Sequence, residues 1–181
     1  IISIQSAADF PVRLVESGPA GGAVFAAHIA ARYGIENALS FDMGGTTAKI
    51  CLIKHQTPKT SRVFEVARTY RFKKGSGMPI SIPVIDMVEI GAGGGSLAHV
   101  DAMAQIRVGP ESAGSEPGPA CYGRGGRRPA VTDADLVLGK LDPDGFAGGS
   151  IQLHPHQSRD ALNAQVGEPL DMDAVGSAFG V

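Results

Sequence analysis

Two cysteines in 181 residues, Cys51 and Cys121, stand 70 positions apart, too few and too distant for a disulfide framework. No signal-peptide pattern opens the chain, so the cytoplasm is the expected compartment. Positive charge is nowhere concentrated over a broad surface. A formal net charge of −2 with scattered Lys and Arg leaves no broad basic surface, which argues against nucleic acid or anionic membrane as a main partner. Arg124, Arg127 and Arg128 are a local exception among glycines; they suit either a phosphate contact or a solvated loop. Two nucleotide motifs are also missing. No G-x-x-x-x-G-K-[ST] is present, and no G-x-G-x-x-G follows a strand and opens a helix with an acid about 20 residues on. With 43% hydrophobic and 19% charged residues, the chain is neither disordered nor membrane-spanning. It has enough apolar material for one core, or one core and an irregular appendage.

What is present is concentrated in Leu39 to Ile53, two apolar strands folded around Asp42-Met43-Gly44-Gly45-Thr46-Thr47. Paired glycines let backbone N–H groups approach an anion, and an adjacent hydroxyl can donate to a phosphate oxygen. An aspartate leading into such a turn suits the water shell of magnesium, because hard cations prefer carboxylate and water oxygens. This reading predicts a phosphate-binding hairpin. A simpler one stays open: Gly-Gly between apolar runs is also the ordinary β-hairpin turn, which needs positive φ and nothing more.

Around this hairpin the sequence predicts a strand from Phe10 to Val15, then a helix opened by Ser17 and Pro19 and stopped by Gly34. That helix is apolar on nearly every side and is expected to be buried or to pack backbone-close against another. Strands are expected at Ala38 to Met43, Thr47 to Ile53, Val63 to Phe72 and Ile80 to Ile90. Lys54 to Ser61 and Lys73 to Gly77 are expected as polar loops. A second glycine-rich element, Gly91-Ala92-Gly93-Gly94-Gly95-Ser96, follows the last strand. It permits close approach of a ligand or is a flexible turn, and polar Glu89, His99 and Asp101 surround it.

From Arg107 to Arg128, prolines and glycines are dense enough to fix an irregular path, and long structured loops tend to carry sites. Cys121 lies in this loop and is a candidate reactive thiol or ligand, whereas Cys51 reads as a small core residue. Thr132-Asp133-Ala134-Asp135 is expected to cap a helix through Leu141. Further helices are expected from His156 to Val166 and from Asp171 to Ala178. The chain starts at Ile1 and ends on Gly180-Val181 within a helical pattern, so a fragment of a longer polypeptide is expected.

The ordered set Glu16 to Gly22, Phe41 to Thr47, Ile90 to Ser96, Pro117 to Gly123 and Val131 to Gly139 resembles the hydantoinase A/oxoprolinase family. The resemblance covers roughly residues 10 to 153. It implies an α/β fold: an actin/sugar-kinase-like (ribonuclease H-like) ATPase lobe with a mixed sheet, flanking helices and long Gly/Pro-rich loops. It also implies that residues 1–153 are the second ATPase lobe and that 154–181 begin a following helical segment. Carried over by position, Asp42, Gly44, Gly45, Thr46 and Thr47 form the second phosphate hairpin for ATP. Asp42 stands near magnesium, and Asp42 and Thr46 are the candidate catalytic residues. Many family members carry an aspartate where this chain has Lys49. Gly91, Gly93, Gly94, Gly95 and Ser96 lie beside nucleotide or substrate. Asp101, Cys121 and Asp133 are candidates for a second divalent metal such as zinc.

The activity so implied is ATP-dependent opening of a cyclic amide, hydantoin or 5-oxoproline. The amide oxygen takes the γ-phosphoryl group before water attacks, with a hydantoinase B-type partner subunit or domain. Phosphoryl transfer asks the protein mainly for positioning and electrostatic stabilisation. Three alternatives remain beside it: an ATP-dependent ketone carboxylase subunit, a regulatory actin-like ATP-binding protein, and a purely structural lobe.

Overall fold

The computed structural model describes residues 2–66 and 75–181. The chain divides into two compact units, Ile1–Asp42 with Lys49–Glu89, and Met43–Ala48 with Ile90–Val181. Among the described residues no helix is long and apolar enough to cross a membrane. The class is α/β, as expected.

In the first unit a short helix α1 (Ile4–Asp9) leads into the run expected as a strand. That run is instead a 3-10 turn, Pro11–Leu14. Pro11 has a helix-compatible φ and no N–H for a ladder, which favours the turn. Helix α2 (Ser17–Arg32) follows, and Gly34 at φ +67° ends it. Strands β1 (Asn37–Met43) and β2 (Ala48–Lys54) are adjacent; β3 (Thr57–Pro58) and the later strand β8 (Met87–Ile90) also pair with β2. Between them lie β4 (Thr60–Ser61), β5 (Phe64–Val66), β6 (Met78–Ile80) and β7 (Val84–Ile85). β4 pairs with β7 and β5 with β6, both antiparallel.

Two sequence expectations change here. Lys54 to Ser61 is not a plain loop: His55 and Gln56 at φ 48° and 60° turn the chain back, so that Thr57 pairs with Lys54. Pro58 is tolerated because β3 is an edge strand. The run Ile80 to Ile90 is broken into separate short strands rather than one. The portion of the Val63 to Phe72 strand beyond Val66, and Lys73 and Lys74 of the expected loop, lie outside the described residues.

Helix α2 buries only Ala23, Ala27 and Ala30, while Val24 and Phe25 are exposed. The burial expected all round is therefore confined to one alanine stripe, which packs along β3 and β7. Strand alternation is clear in β1 and β2. Ser40, Cys51 and Ile53 face inward, whereas Leu39, Phe41 and Leu52 face outward. Lys49 Nζ lies 2.7 Å from Glu16 Oε2 in a largely buried ion pair that ties β2 to the start of α2.

In the second unit β9 (Ser96–Val100) and β10 (Ile106–Ser112) form an antiparallel ladder with a bulge between Val108 and Ser112. Helix α3 (Val131–Val137) stops well short of Leu141, because Gly139 at φ +71° takes the left-handed conformation that closes a helix. Helix α4 (Pro155–Leu162) continues through a π turn, Asn163–Gly167, into α5 (Glu168–Leu170), and α6 (Ala174–Gly180) follows. Leu162 is fully buried with Ala134 and Ala178 where α3, α4 and α6 meet. A neighbouring cluster joins Cys121, Leu136 and Leu153, with Tyr122 and Phe146 against it.

Candidate functional site

The residues Gly44 to Thr47 form a tight turn closed by the Gly44 N–H donating to Thr47 O at 2.8 Å. Gly44, Gly45 and Thr46 are exposed and Thr47 is half-buried. The two readings of the glycine pair now separate. Neither Gly44 nor Gly45 has the positive φ that a hairpin turn would demand. Packing does not demand glycine either: a Cβ on Gly44 would sit 3.5 Å from Thr47 O, an ordinary contact, and one on Gly45 would meet nothing within 4 Å. Among the described residues the N–H groups of Gly45 and Thr46 make no backbone hydrogen bond.

The second glycine run does the opposite. A Cβ on Gly93 would lie 2.6 Å from Gly44 O, Thr46 N and Thr47 N, and one on Gly95 would lie 2.9 Å from Gly45 O. Only glycine fits against the turn there. The Gly94 and Gly95 N–H groups donate to Gly44 O at 2.9 Å and Gly45 O at 2.7 Å, and the Gly93 N–H donates to Ser96 Oγ at 2.9 Å. These amides are spent inside the protein, so Gly93, Gly94, Gly95 and Ser96 brace the turn. Gly91 takes part differently: its carbonyl stands 3.3 Å from where a Cβ on Gly109 would be. Asp42 is an exposed residue near the end of β1.

The three metal-site candidates have separate roles. Asp101 organises the β9–β10 turn: its carboxylate accepts from Met103 N, Gln105 N and Arg107 Nε. Its hydrogen bond with Arg107, helped by the two backbone donors, holds this carboxyl below the usual aspartate range. Cys121 is fully buried; burial first, and the neighbouring Asp133 charge second, push its thiol well up. A thiolate ligand has to lose that proton readily. Asp133 is fully buried with both oxygens occupied. Oδ1 accepts from Cys121 N and Ser158 Oγ, both at 2.8 Å, and Oδ2 accepts from Ala120 N at 3.1 Å and Ala130 N at 2.8 Å. The Ala130 bond is the expected helix cap, while the other three fasten the 120–121 backbone and α4 to α3. Among the described residues no group of three His, Cys, Asp or Glu side chains stands ready to hold a metal ion.

Sequence reasoning placed Thr132 in the cap. In the structure its hydroxyl instead donates to Gly94 O, 38 positions away, at 2.8 Å. Ser158, the Asp133 partner on α4, carried no sequence signal. Its neighbours give no hint of a carboxylate 25 positions away.

The sequence matches the hydantoinase/oxoprolinase family profile across residues 1–181. The chain belongs to the hydantoinase/oxoprolinase family. It is 40% identical over 170 residues to caprolactamase subunit alpha of Pseudomonas jessenii, covering 94% of this chain and 23% of that protein. To 5-oxoprolinase 1 of Arabidopsis thaliana it is 36% identical over 170 residues, covering 92% of this chain and 11% of that one. The fold is shared with the crystal structure of ATP-dependent caprolactamase from Pseudomonas jessenii, at TM-score 0.70 and 39% identity, covering 91% of this chain and 22% of that one. The nucleotide-free structure of acetone carboxylase matches at TM-score 0.69 and 31% identity, with the same coverage of 91% and 22%. This hydantoinase/oxoprolinase-family chain thus spans less than a quarter of the length of each of these relatives.

Proposed function

We propose that the chain is the phosphate-holding part of an ATP-dependent enzyme that opens a cyclic amide of the hydantoin, 5-oxoproline or caprolactam type. One observation carries this reading. Gly44 and Gly45 are glycines that neither backbone conformation nor packing requires. A methyl-free approach from outside the chain gives them a purpose. The turn also fits the group chemically, since unengaged N–H donors and two threonine hydroxyls suit phosphate oxygens.

In this reading the Gly45 and Thr46 N–H groups and the Thr46 and Thr47 hydroxyls orient the phosphates. Asp42 takes the water shell of magnesium, as hard cations prefer. ATP, when bound, would supply the phosphoryl group that activates the amide carbon toward water, so that the C–N bond breaks with nitrogen leaving as the amine and phosphate is released from the carboxyl by hydrolysis. The chain's own contribution is positioning and charge stabilisation, which is most of what phosphoryl transfer asks of a protein. Several relatives are named as subunits, among them caprolactamase subunit alpha and acetone carboxylase beta subunit, which supports a partner subunit for the complete enzyme; in this reading that partner is of hydantoinase B type.

The test is ATP consumption by the complete parent protein with its partner subunit. Hydantoin, 5-oxoproline and caprolactam are compared with acetone or acetophenone plus bicarbonate. Stimulation by an amide is expected. Stimulation only by ketone with bicarbonate would move the protein to the carboxylase branch, and stimulation by neither would overturn the enzymatic reading in favour of a regulatory or structural role.

A further inference from the structure

The brace behind the turn is wired in a particular order. Thr132 is buried, 7% exposed, in the first turn of α3. Its N–H and its Oγ1 both donate to Gly94 O at 2.8 Å. That carbonyl shares a peptide plane with the Gly95 N–H, which donates to Gly45 O at 2.7 Å. The Gly45 carbonyl in turn shares its plane with the Thr46 N–H. In a trans peptide the C=O and N–H point in opposite directions, so the Thr46 N–H is aimed away from the Gly95 donor. A parallel line runs from the Ser96 N–H to Gly93 O at 2.9 Å, and from the Gly94 N–H to Gly44 O at 2.9 Å. It ends on the Gly45 N–H.

The Gly45 and Thr46 N–H groups therefore each terminate a chain of two hydrogen-bonded peptide units. Such chains polarise one another, strengthening each bond by about 10–30%. The larger effect is directional: two donors on the single Gly94 carbonyl occupy both of its lone pairs and fix that plane. The Ser96 line starts from a backbone N–H, with the Ser96 hydroxyl accepting locally from the Gly93 N–H. The Thr46 line has a side-chain anchor, and that anchor is the Thr132 hydroxyl.

We infer that Thr132 is a positioning residue for the phosphate turn, holding the Thr46 N–H in the direction in which it donates to a phosphate oxygen. This rests on the reading of the turn as an ATP phosphate site. It assigns a role to a residue that touches no ligand.

The experiment uses the complete parent protein with Thr132→Val, Thr132→Ala and Thr132→Ser. Hydrogen exchange read on peptides covering 43–48 and 93–97 reports the brace itself. Losing one hydrogen bond is expected to speed exchange there roughly three- to tenfold in the Val and Ala variants. KM for ATP should rise by a similar factor, because the donating conformation is less populated, while kcat changes less. Thr132→Ser, which keeps the hydroxyl, should restore both readings. Unchanged exchange in a folded Val or Ala variant, or a Ser variant as impaired as Val, would overturn the inference. If the wild-type protein uses no ATP, the functional reading fails and takes the proposed role of Thr132 with it. The exchange result then still decides whether Thr132 holds the turn.

Discussion

Replacing Gly45 by alanine tests what the glycine pair is for. A Cβ on Gly45 meets nothing within 4 Å, and its φ is not left-handed. Folding should therefore tolerate the methyl, or gain about 0.4–1 kcal/mol from reduced freedom in the unfolded chain. A bound phosphate would be pushed off the Gly45 and Thr46 N–H groups. Forfeiting one charge-assisted hydrogen bond of about 1.5–3 kcal/mol corresponds to a loss of about 10- to 150-fold in ATP affinity. Gly93→Ala is the contrasting perturbation. Its Cβ would be driven to 2.6 Å from three backbone atoms, an overlap that a flexible side chain cannot relieve. Overpacking of that kind costs about 1–3 kcal/mol. Both variants are made in the complete parent protein, with thermal melting for stability and ATP titration for function. Wild-type ATP affinity in Gly45→Ala would refute the phosphate assignment. A Gly93→Ala protein within about 0.5 kcal/mol of wild type would refute the brace.

Other perturbations separate the remaining roles. Asp42→Asn is expected to slow ATP cleavage far more than it lowers melting temperature; equal loss of both would mean that the carboxylate serves the fold. Asp133→Asn replaces an acceptor of four donors by a group that brings its own N–H into the cluster, and should cost about 2–4 kcal/mol in denaturant titration. A loss below about 0.5 kcal/mol would show that the cluster rearranges freely. Asp101 has a folded pKa held below its unfolded value, so its contribution is present above the unfolded pKa of about 4 and disappears as pH falls through the folded one. The melting difference between wild type and Asp101→Asn should accordingly be full at pH 7 and vanish in acid; a difference that grows in acid would contradict this. Neither buried thiol should react with iodoacetamide in the native protein at pH 8, and both should react in denaturant. Rapid native labelling of Cys121 would mean that its environment is far more open than the cluster with Leu136 and Leu153 implies.

The hairpin, helix α2 and the cap on α3 were legible because each rests on local chemistry: alternation, a helix stop at Gly34, a carboxylate three positions into a helix. The Phe10 to Val15 turn was misread because an apolar run outweighed one proline. The hairpin at His55 and Gln56 was missed because non-glycine residues took the left-handed conformation there. Within the site, Asp42 to Thr47 was visible as a motif. What Gly91 to Ser96 does was not, since its partners lie near position 44 and at Thr132. Asp133 and Cys121 attracted a metal reading because carboxylate and thiol are ligand types. Their occupied or protonated state depends on Ser158 and on burial, which no local pattern reports.

The two glycine runs look alike on paper but answer to different masters. Gly93 to Gly95 are held by folding, and any descendant of this chain that keeps its shape must keep them. Gly44 and Gly45 are free of that obligation. In a lineage that had given up nucleotide while retaining the scaffold, drift should enter first at the outer pair and leave the inner run untouched, so the order of decay would record what the ancestor once held.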